Sequence, residues 1–207
     1  MTSNVEIGAM AELAKLKDAE LLAAVKRCES CPDLPLGPRP ILQWDPAAPI
    51  LIAGQAPGSR THAKGIPFDD PSGERLREWL GVDRASFYDP KRFAIVPMAF
   101  CFPGTGTGGD LPPPPRCAEM WRRPLLDRLG RLQLTIVLGQ YAASWHGDGS
   151  RRSVTDAVAQ WRETLPTHIV LPHPSPRNRR WLTQNPWFEE EVLPRLRARI
   201  AGIFSDG

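Results

Sequence analysis

A chain of 207 residues with 42% hydrophobic and 24% charged residues has an ordinary globular composition and enough length for one α/β domain with a proper core, which excludes disordered, collagen-like and coiled-coil classes. Its net charge of +3 permits a polyanionic partner without demanding one. No apolar run approaches a membrane span, and the N-terminal MTSNVEIGAM lacks the charged and apolar regions of a signal peptide, so a cytoplasmic protein without a membrane partner is expected. In that reducing compartment the four cysteines are expected to be free thiols or metal ligands rather than disulfides.

Met10 to Arg27 is rich in Ala, Leu, Lys and Glu at helical spacing, which predicts an amphipathic helix running into Cys28. From Cys31 to Pro49 the chain is loaded with proline, so it is read as an irregular connection held by something other than a helix or sheet. Four short apolar runs follow, Ile50 to Ala53, Phe93 to Met98, Leu134 to Leu138 and His168 to Leu171. These predict buried parallel strands.

Helical patterns lie between and after them: Ser72 to Leu80 stopped by Gly81, Arg116 to Leu129 with a kink at Pro124, Val154 to Leu165, and Pro186 to Ile200. In the last, Glu189, Glu190 and Glu191 come early and Arg195, Arg197 and Arg199 late, which suits the helix dipole. The low-complexity stretch Gly104 to Pro115 is read as a surface loop. Of the tryptophans, Trp79, Trp121, Trp145 and Trp161 are expected in the core, with Trp181 and Trp187 either packing or touching a ligand. Alternating strands and crossovers predict a single domain over residues 1–207, a three-layer α/β/α sandwich with a central four-stranded parallel sheet.

In such sheets ligands bind beyond the carboxyl ends of the strands. Two of the four runs have unusual followers. Gly54-Gln55-Ala56-Pro57-Gly58 is a tight turn that would aim backbone N–H groups and an amide into a crevice. Pro172-His173-Pro174-Ser175-Pro176-Arg177-Asn178 is stiff and polar, with Arg179 and Arg180 next to it as a basic cluster.

This GQAPG and HPSPRN pair resembles the two signature motifs of the uracil-DNA glycosylase superfamily, over roughly Ala24 to Arg180 and in the right order. KGIPFDDPSGERLREWL, from Lys64 to Leu80, extends the resemblance. The cysteines, Cys28-x2-Cys31 with Cys101 and Cys117, are similar in spacing to the ligands of a structural 4Fe-4S cluster in the family-4 and family-5 enzymes, while HPSPRN is closer to the single-strand-selective monofunctional type. Zinc at the same four thiolates, or four reduced thiols, are the alternative readings.

The resemblance implies a monofunctional glycosylase of base excision repair, a monomer acting in the cytoplasm at the nucleoid. Its partner would be DNA, single- or double-stranded, that contains uracil. Gly54, Gln55, Ala56, Phe68 and His173 would hold the base, with Phe68 stacked on it and His173 donating to its O2. Ser175, Arg177, Asn178, Arg179 and Arg180 would meet the DNA, with Arg177 filling the space left by the flipped nucleotide.

The pattern breaks in two places. The turn has Gln55 where the family-4 enzymes carry Glu, and Ala56 where the family-1 enzymes carry Asp. Asp70, in the register of a family-5 carboxylate, is the best substitute for positioning water; Asp69 and Gln55 are the other candidates, and Asp70 read from the residues alone also suits a helix cap. The family-4 Asn that reads uracil corresponds to Pro97, so backbone groups of Pro97 to Phe100 would have to replace it. A non-catalytic binder of damaged or abasic DNA, a glycosylase for another deaminated base, and an iron–sulfur enzyme acting on a small molecule are the competing readings.

Overall fold

In the computed structural model, which describes residues 12–147 and 152–205, four buried strands form one parallel sheet. These are β1 (Ile50–Ala53), β2 (Phe93–Ile95), β5 (Leu134–Leu138) and β6 (His168–Leu171), ordered β2-β1-β5-β6; β3 (Thr105–Gly106) and β4 (Gly109–Asp110) make a separate antiparallel hairpin. Because successive strand residues face opposite sides, β1 feeds two cores. Ile50 and Ile52 pack with Leu76, Trp79, Phe188, Leu196 and Ile200 on one face. Leu51 packs with Leu21, Val25, Trp44, Trp121 and Leu125 on the other. Helices cover both faces, so the expected three-layer α/β/α sandwich is the fold.

The expected strands at Ile50, Leu134 and His168 begin and end as read. The strand at Phe93 stops at Ile95 rather than Met98. Val96 still donates to the Ile52 carbonyl at 3.0 Å, but Pro97 has no N–H to continue the ladder.

The helices are α1 (Asp18–Lys26), α2 (Ser59–Lys64), α3 (Pro71–Leu80), α4 (Arg84–Phe87), α5 (Pro115–Cys117), α6 (Arg123–Leu126), α7 (Gly139–His146), α8 (Val154–Ala159), α9 (Trp161–Thr164), α10 (Arg179–Gln184) and α11 (Leu193–Ser205). The single helix expected over Met10 to Arg27 is broken; Met10 itself lies outside the described residues. A helical turn at 12–15 ends before Lys17, where the Glu20 carboxylate accepts the Lys17 N–H at 2.7 Å and starts α1 afresh.

The expected kink at Pro124 takes the form of a π-helical turn, Ala118–Arg122, between α5 and α6. A second π-turn, Phe188–Val192, precedes Pro194 at the start of α11. In both places proline has no N–H for the carbonyl four residues back, and a widened turn accommodates the loss. The helix expected over Val154 to Leu165 divides at Gln160 into α8 and α9. Trp145, expected in the core, is instead 37% exposed, with the Arg122 guanidinium 4.2 Å from its ring centroid.

All four strands of the sheet run the same way, so the segments after β1, β2, β5 and β6 gather at one edge. The chain passes from β1 to β2 on one side and then crosses to β5 on the other, which opens a crevice beyond β1 and β5. The sheet's rigidity should govern that crevice. Replacing Ile136, fully buried at the centre of β5, by Ala should cost about 2–5 kcal/mol in denaturant unfolding, against roughly 0.5 kcal/mol or less for Leu132→Ala, which is 38% exposed. Equal losses would refute a sheet-centred core.

Candidate active site

Beyond β1 the chain turns through Gly54-Gln55-Ala56-Pro57-Gly58. Two hydrogen bonds fix this turn: Met98 N–H donates to the Gly54 carbonyl at 2.8 Å and Ala99 N–H to the Gln55 carbonyl at 3.0 Å. The β1–β2 pairing thus continues past Pro97 into the loop. Gln55 Nε2 donates to the Leu111 carbonyl at 2.9 Å, which ties its amide to the segment after the hairpin.

Beyond β6, His173 reaches the same cleft, a space of about 280 Å³ lined by Gln55, Gly139, Tyr141, Thr155, His173 and Trp181 among others. His173 is part-buried. Ser175 N–H donates to His173 Nδ1 at 3.2 Å, so that nitrogen is the unprotonated one and the proton of the neutral ring sits on Nε2. Asn178 Nδ2 donates to the His173 carbonyl at 2.7 Å, and Arg75 Nη1 donates to the Ser175 carbonyl at 3.2 Å. The motif is therefore clamped from within and from α3. Ser175 also caps the following 3₁₀ turn, its hydroxyl accepting from Arg177 N–H at 3.3 Å.

Phe68 meets the turn at its first residue. Its Cζ lies 3.6 Å from where a Cβ on Gly54 would be, so the ring stands over the start of the turn. Phe68 has a positive φ of 55°, a conformation costly for a bulky residue. The surroundings enforce it: Arg77 Nη1 donates to the Phe68 carbonyl at 3.3 Å and the Tyr88 hydroxyl donates to the Pro67 carbonyl at 3.0 Å. A Cβ on Gly73 would stand 1.7 Å from the Phe68 carbonyl oxygen, so only glycine lets α3 approach this bend.

The two acidic residues after Phe68 part company. Asp69 is held by Arg84 at 2.7 Å and Lys64 at 3.0 Å, and these partners lower its carboxyl pKa, Arg84 first. Asp70 caps α3, its Oδ1 accepting from Gly73 N–H at 2.9 Å, yet its charge also reaches His173. So does that of Asp110 at the end of β4, a residue the sequence reading passed over. The Asp110 carboxylate stands 3.3 Å from where a Cβ on Gly58 would be, which brings the hairpin down onto the turn. Arg177, Arg179 and Arg180 are exposed at the rim, and the Arg177 Nη1 lies 2.5 Å from the Cβ position of Gly109.

In the Pro97 to Phe100 segment, Pro97 has no N–H and those of Met98 and Ala99 are spent on the turn. The Phe100 carbonyl accepts from Ile41 N–H at 2.7 Å.

The four cysteines lie apart from the cleft. Cys28, Cys31, Cys101 and Cys117 line one void with Pro38, Phe100 and Trp121 among its walls, and Trp121 Nε1 donates to the Cys28 sulfur at 3.2 Å. Among the described residues no group of three or more His, Cys, Asp or Glu side chains is set to hold a metal ion. Burial pushes the Cys117 thiol up to about 11, and the neighbouring sulfurs push the same way, so this thiol parts with its proton only against a compensating positive charge.

Burial lowers the His173 pKa, with Asp70 and Asp110 opposing. The folded state thus takes up a proton less readily than the unfolded chain, whose histidine titrates near about 6.5, so the neutral ring's contribution to stability is complete above that pH and declines as pH falls below it. The melting-temperature difference between wild type and His173→Gln should be flat above about pH 6.5 and should shift against the wild type on acidification. A shift in the wild type's favour would show the ring to be charged in the fold.

The family model for the Uracil DNA glycosylase superfamily matches residues 43–197, about three quarters of the chain, from ahead of β1 into α11.

Proposed function

The chain belongs to the uracil-DNA glycosylase superfamily, DNA glycosylases that hydrolyse N-glycosyl bonds in DNA during base excision repair, and from that premise we propose that it flips uracil out of DNA and hydrolyses its glycosidic bond to leave an abasic site. One observation carries the reading. A neutral imidazole with its proton on Nε2, clamped by Ser175, Asn178 and Arg75, faces the Gly54–Gly58 turn across a cleft.

Loss of the base makes the sugar cation-like while negative charge collects on the departing uracil. His173 Nε2–H meets that charge at O2, and because the donor is already oriented, nothing has to reorganise as the bond breaks. Phe68, fixed in its costly bend, offers a ring face to the base, and Gly54 and Ala56 let the backbone come close. Arg177 fills the vacated stack, offsetting a flipping cost of a few kcal/mol. Arg179 and Arg180 meet phosphates, with Ser175 and Asn178 holding the motif that carries them. Gln55, its Nε2 engaged by Leu111, keeps its carbonyl oxygen for a water, and Asp70 keeps one carboxylate oxygen.

The spent donors of Met98 and Ala99 favour a second reading of the substrate. Backbone N–H groups committed to the turn cannot donate to a uracil O4, so this stretch discriminates weakly among deaminated bases. Excision of hypoxanthine or xanthine alongside uracil fits such a site.

Cys28, Cys31, Cys101 and Cys117 line one void, and on the resemblance of their spacing they would hold a 4Fe-4S cluster, with zinc at the same four thiolates as the alternative. Bound there, the cluster would supply a staple joining the proline-rich segment to α5 and the loop after β2, with no redox part in base removal.

Oligonucleotides bearing one uracil, single-stranded and as U:G and U:A duplexes, should be cleaved at that site after alkali treatment. His173→Ala should be slower by roughly 10²–10³-fold in single turnover. Binding without cleavage on every substrate, including hypoxanthine and xanthine, would replace this reading with that of a lesion binder. Anaerobically purified protein should contain about four irons per chain and lose them in Cys101→Ser; stoichiometric zinc or no metal would remove the cluster.

A further inference from the structure

We infer that Asp110, carried by the β3–β4 hairpin, is the carboxylate that holds the attacking water and faces the sugar cation. The inference rests on the glycosylase reading and deepens it. The turn itself offers no carboxylate, since Gln55 and Ala56 occupy its middle, so an acidic group has to reach the turn from elsewhere in the fold.

Three acidic side chains come near. Asp69 has both oxygens engaged, one by Arg84 and one by Lys64, and is not free to bind a water. Asp70 spends Oδ1 on the α3 cap, which leaves it one oxygen. Asp110 comes from the β3–β4 hairpin. Its Oδ2 lies 3.3 Å from the Cβ position of Gly58, and its one side-chain hydrogen bond is a 3.5 Å contact of Oδ1 with the Thr105 hydroxyl. Next to it in the chain, the Leu111 carbonyl holds the Gln55 amide. Asp110, exposed beside Gly58, and Gln55, tied to the neighbouring Leu111, thus both lie at the turn, and His173 reaches the cleft from β6.

In the step this predicts, the C1′–N bond breaks with its electron pair going to the base, whose O2 is met by His173 Nε2–H. The oxygen of the water held by Asp110 and the Gln55 side-chain amide oxygen bonds to C1′. The proton it sheds passes to the Asp110 carboxylate and on to solvent, and the base anion takes a proton from water after release. No oxidant or further reactant is needed. Gly58 matters for the same reason, because a side chain there would occupy the space beside the carboxylate.

Single-turnover cleavage of the uracil oligonucleotide should separate this role from a merely structural one. Asp110→Asn should lower the rate by about 10²-fold while leaving the Kd for substrate and the melting temperature within twofold and a few degrees of wild type. Added formate should restore part of the rate to Asp110→Gly and none to His173→Ala. Asp70→Asn, which keeps the helix cap, should lose less than Asp110→Asn. A wild type that cleaves beside an Asp110→Asn of equal rate overturns this assignment and leaves the glycosylase reading standing. Weakened binding with an unchanged rate, or a larger loss in Asp70→Asn, also overturns it. A wild type that cleaves no substrate ends both.

Discussion

The cleft depends on two hydrogen bonds made just past the end of the sheet. Met98 and Ala99 donate to the Gly54 and Gln55 carbonyls, extending the β1–β2 pairing around Pro97 and fixing the turn that every other part of the site is built against. Phe68 stands over its first residue, Asp110 over its last, and Gln55 is tied from its middle to the loop beyond the hairpin. Buried strands behind it give this turn a rigid footing, as an electrostatic site requires.

What the residues revealed in advance was whatever depends on local pattern. Three of the four strands were legible to the residue because they are buried on both faces and read as unbroken apolar runs. The fourth was read too long, since Pro97 blends into an apolar run yet cannot donate. Pro124 announced a disturbance, but whether a helix answers with a kink or a π-turn depends on its packing, which no window of sequence contains. Trp145 looked like a core residue on a helix and is instead half covered by a guanidinium. The two site motifs were legible because each is a tight cluster of unusual residues at a strand end.

Asp110 was not legible, for a physical reason. It sits in a glycine-rich stretch that looks like filler, and its importance comes from the folding of a four-residue ladder onto a turn some fifty residues earlier in the chain. The clamps on His173 were equally hidden. Arg75 belongs to α3, about a hundred residues away, and its reach to Ser175 exists only once the sheet has brought β6 beside it.

The spent donors of Met98 and Ala99 have a consequence for turnover. Two N–H groups committed to fixing the turn have nothing left for a ligand. On the glycosylase reading a released base finds no grip there, so slow dissociation would fall to the nucleic acid rather than to the small heterocycle.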